Sequence, residues 1–356
     1  MKTILVIRSS AMGDVAMTAP VLSALAKRYA GQIRVVMLTR EFYEPFFDGI
    51  PDLEIFNIDL AEQHNGVRGI YRLFCQLQKA YKFDLVIDLN YKLYSRLLRR
   101  FFNLAGIKTY RIDKGRKEKR MITNKKNKLL VQLKSSIERY VDVFRAAGFP
   151  LEVENKLPER PERPIPHFAG TKNEHWIGIA PFAKHKGKVL PIETIRQVIE
   201  RLTQWDPEVK IFIFGGGRAE KMVARSLVAW YTNCRSTIGE LTLRGEMDLI
   251  ANLDLMLSMD SSAMHMSSLV GVDVISVWGA THPYAGFLGI GQSIENVIQI
   301  DTLACRPCSV YGHKPCYRGD YACLNQISPQ VIFERIVRCL DDKSTSSHSH
   351  YGASKN

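Results

Sequence analysis

Residues 7–22 read IRSSAMGDVAMTAPVL, and they follow the short apolar run TILVI (Thr3 to Ile7). The run has the length and branched side chains of a buried strand, whereas MTAPVLSALAKRY places apolar residues at helical spacing. Gly13 and Asp14 therefore sit where strand gives way to helix. α/β proteins keep their sites at such turns, because the carboxyl ends of strands face the amino ends of helices there. Glycine permits a tight turn and close backbone approach, and a carboxylate at a helix start is stabilised by free N–H groups. A helix-start aspartate with no catalytic role fits the same residues. The stretch contains no G-x-G-x-x-G, which weakens a dinucleotide-binding reading.

Working outward, strand-like runs alternate with helical patterns: TILVI, IRVVMLT, LEIFNI and DLVIDL, then WIGIAP, KIFIFGGG, DLMLSMD and DVISVWG. Alternation of this kind predicts parallel sheets with helices on both faces, and here the pattern occurs twice. Between the sets lies GFPLEVENKLPERPERPIPHFAGTKNEH (Gly148 to His175), rich in proline and charge. The expected fold class is thus α/β, with two Rossmann-like, doubly wound domains facing each other across a cleft. Their expected bounds are residues 1–165 and 166–340, with 341–356 a disordered tail of polar low-complexity sequence.

The 356 residues exceed one comfortable core, and 46% hydrophobic content suffices for two. No apolar run approaches the ~18 to 20 residues of a membrane span, and the N-terminal run is too short for a signal-peptide core. A cytoplasmic address is the resulting expectation. Lys plus Arg number 49 against 36 for Asp plus Glu, a net +13. That excess suits an anionic partner: nucleic acid, an anionic membrane face or a phosphorylated substrate. Cys75, Cys234 and Cys339 lie in apolar surroundings and read as core thiols. Cys305, Cys308, Cys316 and Cys323 instead cluster as C-x₂-C-x₇-C-x₆-C, with His313 inside. A structural zinc site, packed free thiols and a disulfide all fit that spacing. A zinc-containing nucleic-acid-binding protein is one reading, opposed by the scarcity of aromatics in the basic run KGRKEKRMITNKKNK (Lys114 to Lys128).

Three turns of the second half are candidates for anion and nucleoside binding. After WIGIA, Lys184, Lys186 and Lys188 crowd the approach to a helix near Pro191, which suits a pyrophosphate or a merely solvated loop. After KIFIF, Gly215, Gly216 and Gly217 permit close backbone approach, with Glu220 in reach of ribose hydroxyls or simply at a helix start. After DLMLSM, Asp260, Ser261 and Ser262 open a helix that carries His265 one turn on, as an anion site or an ordinary N-cap cluster.

The order of these signals, with VWGATHP (Val277 to Pro283) after them, resembles glycosyltransferase family 9, the ADP-heptose:lipopolysaccharide heptosyltransferases. RSSAMGDVAMTAPVL is similar to the family's opening motif, KVLP to its lysine motif, GGGRAE to its strand-end glycine and glutamate, and DSSAMHMSSLVGVDVISVWGATHP to its donor-binding signature. Ser261 and Ser262 stand where the family has threonine and glycine. The resemblance implies a GT-B fold and an inverting transfer of heptose from ADP-heptose to a lipopolysaccharide inner-core or lipid A acceptor, with no cofactor required. It implies Asp14 as base and a donor site of Gly13, Lys188, Gly216, Glu220, Leu243, Asp260, Ser261, Ser262, Ala263 and His265. No two aspartates form D-x-D, so a metal-independent reaction is expected. The first domain binds the acceptor in this family, which gives Lys92, Arg96, Arg116, Lys117 and Arg120 an expected role on phosphates and on the anionic inner-membrane face. The expected partners are thus a nucleotide sugar, a phosphorylated lipopolysaccharide precursor and that membrane surface, without nucleic acid. Another nucleotide sugar on the same fold, in surface polysaccharide synthesis, is the alternative.

Overall fold

The opening run is a strand, β1 (Lys2–Ile7), with Ile4 to Ile7 fully buried. A strand covered on both faces needs apolar side chains in both directions, which is why TILVI shows no alternation. The protein is described, in a computed structural model, over residues 1–172 and 174–351, as backbone alone from 343. Its contacts divide it into two units, Met1–Arg116 with Lys134–Asn155, and Lys117–Leu133 with the residues from Lys156 onward.

In the first unit β1 is followed by α1 (Met12–Ala16), α2 (Ala19–Arg28), β2 (Ile33–Thr39), β3 (Leu53–Asn57), α3 (Gly66–Ala80), β4 (Leu85–Asp88), α4 (Leu93–Leu104) and β5 (Lys108–Arg111). A short helix, α5 (Arg116–Ile122), begins at its margin, and α6 (Ser136–Ala146) completes it. The strands are all parallel, in the order β3-β2-β1-β4-β5. Chain order therefore reverses between β1 and β4. Helix α3 turns Ile70, Leu73 and Leu77 into the core at three- and four-residue spacing, against Leu5, Ile7 and Val86 of the sheet.

The second unit runs β6 (Trp176–Ala180), α7 (Ile192–Trp205), β7 (Lys210–Ile213), α8 (Gly217–Val228), β8 (Cys234–Ser236), α9 (Leu243–Ala251), β9 (Leu255–Met259), α10 (Ser262–Leu269), β10 (Val274–Val277), β11 (Val297–Ile298), α11 (Ala322–Asn325) and α12 (Pro329–Tyr351). Its strands are also parallel, in the order β11-β10-β9-β6-β7-β8, and reverse between β6 and β9. Each of the eight expected strands is present. β5, β8 and β11 were not expected; they are short, and each lies at the edge of its sheet. An edge strand buries less, so it carries no apolar run to betray it.

The units differ from the sequence boundary near 165 in two respects. The change of unit falls between Asn155 and Lys156, and the basic segment Lys117–Leu133 joins the second unit. The cause is packing: Ile122 and Leu133 are buried with Ala285, and the Leu133 N–H donates to the Tyr284 carbonyl at 2.9 Å. The tail expected to be disordered from 341 is helical through Tyr351, continuing a helix anchored by the buried Ile332, Ile336 and Leu340. Residues 352–356 lie outside the described residues. No described helix is long and apolar enough to cross a membrane.

Gly178, at the centre of β6, is closely packed in the second core. A Cβ there would lie 2.6 Å from Leu253 Cδ1 and 2.8 Å from Met256 Cε. Gly178→Ala is expected to destabilise the protein by about 1–3 kcal/mol through overpacking. Urea denaturation measures it, and an unchanged midpoint would show that this layer has slack.

Candidate active site

Asp14 is held from three sides. Its Oδ2 lies 2.5 Å from Arg8 Nη2 and accepts the Ala11 N–H at 3.2 Å, while the Tyr140 hydroxyl donates to its backbone carbonyl at 3.2 Å. The reach back to Ala11 satisfies a donor that the start of α1 would otherwise leave unpaired. Arg8 is buried at the end of β1, donates to the Leu89 carbonyl beyond β4, and lies 5.7 Å from the Tyr140 ring. Asp14 keeps about a third of its side chain exposed, at 32%. The pair requires Asp14 to be charged, and a charged carboxylate is the form that accepts a proton. Gly13 sits within α1 beside it. Lys114 is nearby, its ammonium pushed down to about 8 by burial first and then by the positive charges of Arg8, Arg116 and Lys92, with Asp14 opposing.

In the second unit the expected donor residues follow adjacent strands. Lys188 follows β6, Gly216 and Glu220 follow β7, Leu243 follows β8, and Asp260 to His265 follow β9. Because β9, β6, β7 and β8 are neighbours, all of these fall along one carboxyl edge. At the reversal between β6 and β9, Lys188 Nζ is 3.1 Å from Asp260 Oδ2, with both side chains largely buried. Ser261 is the N-cap of α10 in extended backbone, its Oγ 3.2 Å from Ser258 Oγ, so Ser262 and Ala263 present the first helical N–H groups. His265 is buried one turn on. Glu220 Oε2 accepts the Gly216 N–H at 2.7 Å, closing the glycine turn. Leu243, the first residue of α9, is buried behind the Thr242 cap, which accepts the Gly245 N–H. Lys184 and Lys186 lie on the same loop, Lys186 turned to the Tyr321 ring at 5.0 Å.

The chain is similar to known proteins. Residues 70–315 match glycosyltransferase family 9 (heptosyltransferase). The chain belongs to this family. Lipooligosaccharide heptosyltransferase 2 of Campylobacter jejuni is 25% identical over 133 residues, 36% of this chain and 40% of that protein. The match thus spans about two fifths of the length of the curated relatives. A family 9 glycosyltransferase from Veillonella parvula superposes with a TM-score of 0.72 at 18% identity, covering 96% of this chain and 98% of that one. The ADP-heptose lipopolysaccharide heptosyltransferase II of E. coli gives 0.69 at 20%, covering 97% and 100%. At such identities these two establish the α/β fold they share.

The basic residues expected on the acceptor are divided between the two units of this family 9 protein. Lys92, Arg96 and Arg116 belong to the first unit, and Lys117 and Arg120 to the second. Cys305, Cys308, Cys316 and Cys323 line one small cavity with Arg306 and Tyr317, and none forms a disulfide. They do not form the zinc site expected from their spacing: among the described residues no group of three or more His, Cys, Asp or Glu side chains is disposed to hold a metal ion. Arg306 also lines the cavity, its guanidinium fixed on the carbonyls of Gly279, Ile300 and Thr281, and its permanent positive charge disfavours a cation nearby. Burial pushes the Cys323 thiol up to about 11 and the Cys308 thiol upward, so both are held neutral.

Sequence reading did not single out Arg8, Tyr140, Lys114, His282 or Glu246. Arg8 adjoins the opening motif, but its partners lie at positions 14, 89 and 140, a proximity that only folding creates. His282, within the quoted THP, accepts the Tyr284 N–H through Nδ1, and burial followed by Arg306 pushes it down to about 4, so it is neutral at physiological pH. Glu246 lies one turn into α9 from Leu243, where the Thr237 hydroxyl is 3.5 Å away and burial raises its carboxyl to about 7. An acid whose folded value is raised is stabilising only while protonated, so the protein loses stability as pH rises from about 4.5 through 7. Glu246→Gln is expected to match the parent near pH 4.5 and to exceed it at pH 8 by up to about 3 kcal/mol. Denaturant titrations at both pH values test this, and a difference independent of pH would contradict it.

Proposed function

We propose that this family 9 protein is an inverting, metal-independent heptosyltransferase that moves heptose from ADP-heptose to a phosphorylated lipopolysaccharide inner-core or lipid A acceptor. The observation that carries the reading is the convergence of Lys188, Asp260 and the amino end of α10 at the strand-order reversal of the second unit. A lysine and a row of free N–H groups at such a point suit a diphosphate. The E. coli neighbour is named for ADP-heptose, and the Campylobacter jejuni relative for lipooligosaccharide, which agrees in class.

In this reading the acceptor hydroxyl attacks the anomeric carbon from the face opposite the diphosphate, a C–O bond forms, the bond to the phosphate oxygen breaks, and ADP departs. Asp14 takes the hydroxyl proton, which contributes roughly 10²- to 10⁴-fold. ADP is a good leaving group, so no second carboxylate is needed as acid, unlike glycoside hydrolysis. Lys188 and the N–H groups of Ser261 to Ala263 hold the developing charge. Glu220 accepts from the ribose, Leu243 lines the base pocket, and Asp260 and His265 orient sugar and phosphates. Lys92, Arg96, Arg116, Lys117 and Arg120 meet anionic acceptor groups. Peripheral attachment to the cytoplasmic face of the inner membrane is supported by Leu129, Leu130 and Val131, each over 40% exposed directly after the lysine-rich stretch ending at Lys128.

The test is ADP release from ADP-heptose with truncated lipopolysaccharide acceptors in the presence of a chelator. Asp14→Asn is expected to keep donor affinity within about twofold and lose about 10²- to 10⁴-fold in turnover; a variant that keeps most of its rate removes Asp14 as base. If folded protein releases no ADP yet is thermally stabilised by UDP or GDP, another nucleotide sugar replaces ADP-heptose.

Gly216 gives an independent check of the donor site. Its backbone is extended and a Cβ there meets nothing within 4 Å, so the fold does not require glycine. Gly216→Val is expected to leave the urea midpoint unchanged and weaken ADP binding about tenfold or more, since only a ligand would fill that space. Unchanged ADP affinity by calorimetry would place the nucleotide elsewhere.

A further inference from the structure

Residues 308–316 read CSVYGHKPC and form an irregular loop between β11 and α11. A loop has no ladder of its own, so the groups that receive its backbone decide where it lies. Here the N–H groups of Cys308 and Ser309 both donate to the Ala280 carbonyl at 3.1 Å, in the turn after β10. The Ala280 N–H in turn donates to the Gly187 carbonyl at 2.8 Å, in the loop after β6. Three backbone segments from distant parts of the chain are thereby laid against one another, and one of them carries Lys188.

The approach is close enough to require glycine on both sides. A Cβ on Gly187 would lie 2.8 Å from the Gly312 carbonyl oxygen and 3.0 Å from Ala280 Cβ. A Cβ on Gly312 would lie 2.4 Å from Cγ and 2.7 Å from Cδ of Lys188, and 3.6 Å from His185 Cβ. Carbon atoms pack best at about 3.5–4.0 Å, so the two lysine contacts could not survive an added methyl group. Cγ and Cδ are the stem of the lysine, not its free end, so the whole side chain would have to leave its path.

Gly312 is buried and has left-handed backbone at φ 74°, so two separate reasons favour glycine there. Gly319 shares the left-handed backbone, at φ 82°, but a Cβ on it meets nothing within 4 Å. The pair separates the demand for a conformation from the demand for space.

The path of the stem decides where the ammonium ends. A lysine has four rotatable bonds and, left in solvent, spreads its charge over many rotamers. Here the far end meets Asp260 Oδ2 at 3.1 Å with 16% of the side chain exposed, while the stem runs along the Gly312 backbone. Both ends of the side chain are thus set before a ligand arrives, which lowers the cost of binding one.

We infer that Gly312 is a positioning residue for Lys188: by lacking a Cβ it lets the loop of residues 308–316 lie as a strap along the lysine stem and directs the ammonium to Asp260 and the start of α10. That the ammonium meets a diphosphate there rests on the reading given under Proposed function; the positioning itself does not.

Lysine labelling with a limiting amine-reactive ester, read peptide by peptide by mass spectrometry, tests the positioning without a ligand. A largely buried ammonium held on a carboxylate reacts slowly. Lys188 is expected to label several-fold faster in Gly312→Ala than in the parent, and at the parent's rate in Gly319→Ala. Equal labelling of Lys188 in the parent and in folded Gly312→Ala overturns the inference, as does equal acceleration in both alanine variants. Gly312→Asn accepts left-handed backbone with little strain but still adds a Cβ, so it is expected to behave as Gly312→Ala. Parental labelling in Gly312→Asn would mean that conformation alone selects glycine, and it too overturns the inference.

Calorimetry then reads the consequence. Gly312→Ala is expected to bind ADP about ten- to a hundredfold more weakly and adenosine within about twofold, because the lost contact is one charged group on phosphate. Equal losses for the two ligands would indicate a general loosening and count against the role. Adding Gly312→Ala to Lys188→Ala is expected to change ADP affinity by less than about twofold, since no stem remains to displace; a full additive loss overturns the coupling. If labelling responds as expected but Lys188→Ala binds ADP as tightly as the parent, the positioning stands and the assignment of Lys188 to the diphosphate falls. If Lys188→Ala loses ADP affinity and folded Gly312→Ala does not, the donor-site reading stands and the role of Gly312 falls.

Discussion

Each sheet reverses its strand order once, between β1 and β4 and between β6 and β9, and the chemistry of both units depends on that constraint. Where the order reverses, the connections from neighbouring strands leave toward opposite faces of the sheet, and a crevice opens beyond their carboxyl ends. In the first unit that point brings Arg8 and the Asp14 turn beside Leu89 and Lys92. In the second it brings Lys188 to Asp260. No local sequence rule asks these pairs to meet; the parallel register of the central strands does.

Arg8 shows how the constraint becomes energetic. A guanidinium taken out of water at the end of a buried strand is costly unless its charge is met, and here the Leu89 carbonyl and the Asp14 carboxylate take Nη1 and Nη2 with the Tyr140 ring alongside, while Nε has no hydrogen-bond partner. Asp14 therefore anchors the buried guanidinium, whatever else its carboxylate does. An ion-paired carboxylate is also a weaker base than a free one. The proposed transfer tolerates a weaker base, because departure of the nucleoside diphosphate supplies much of the driving force.

The two positive regions of the first unit have different characters. Lys114 and Arg8 are near a carboxylate and are partly offset by it. Arg96, Arg111 and Arg116 are offset mainly by the face of the Tyr91 ring, 4.7 to 5.9 Å from their guanidinium carbons. The net charge of +13 is thus not a uniform coat, and part of it is concentrated on a surface with a defined geometry.

Seven of the eight apolar runs were legible as strands because burial on two faces leaves an apolar signature, β3 being an edge strand that is apolar though only half-buried, and the turns after them were legible because glycine, aspartate, serine and lysine punctuate the transitions. Family membership was legible from the order of those turns. The edge strands β5, β8 and β11 were not, since they bury too little to show a pattern. Nor was the transfer of Lys117–Leu133 to the second unit, which follows from Ile122 and Leu133 finding Ala285 far along the chain. The cysteine spacing left a zinc site, packed free thiols and a disulfide open, and the structure has the four as free thiols lining one cavity with a fixed arginine. The sequence by itself determined the fold class and the family, and it singled out a candidate base and candidate donor-binding turns, because each depends on local pattern and spacing. The tertiary structure alone decided that Arg8 pairs with Asp14, that Lys188 meets Asp260, and that Gly312 lies against the stem of Lys188, because contact between distant residues depends on sheet order, strand register and the paths of the loops between strands.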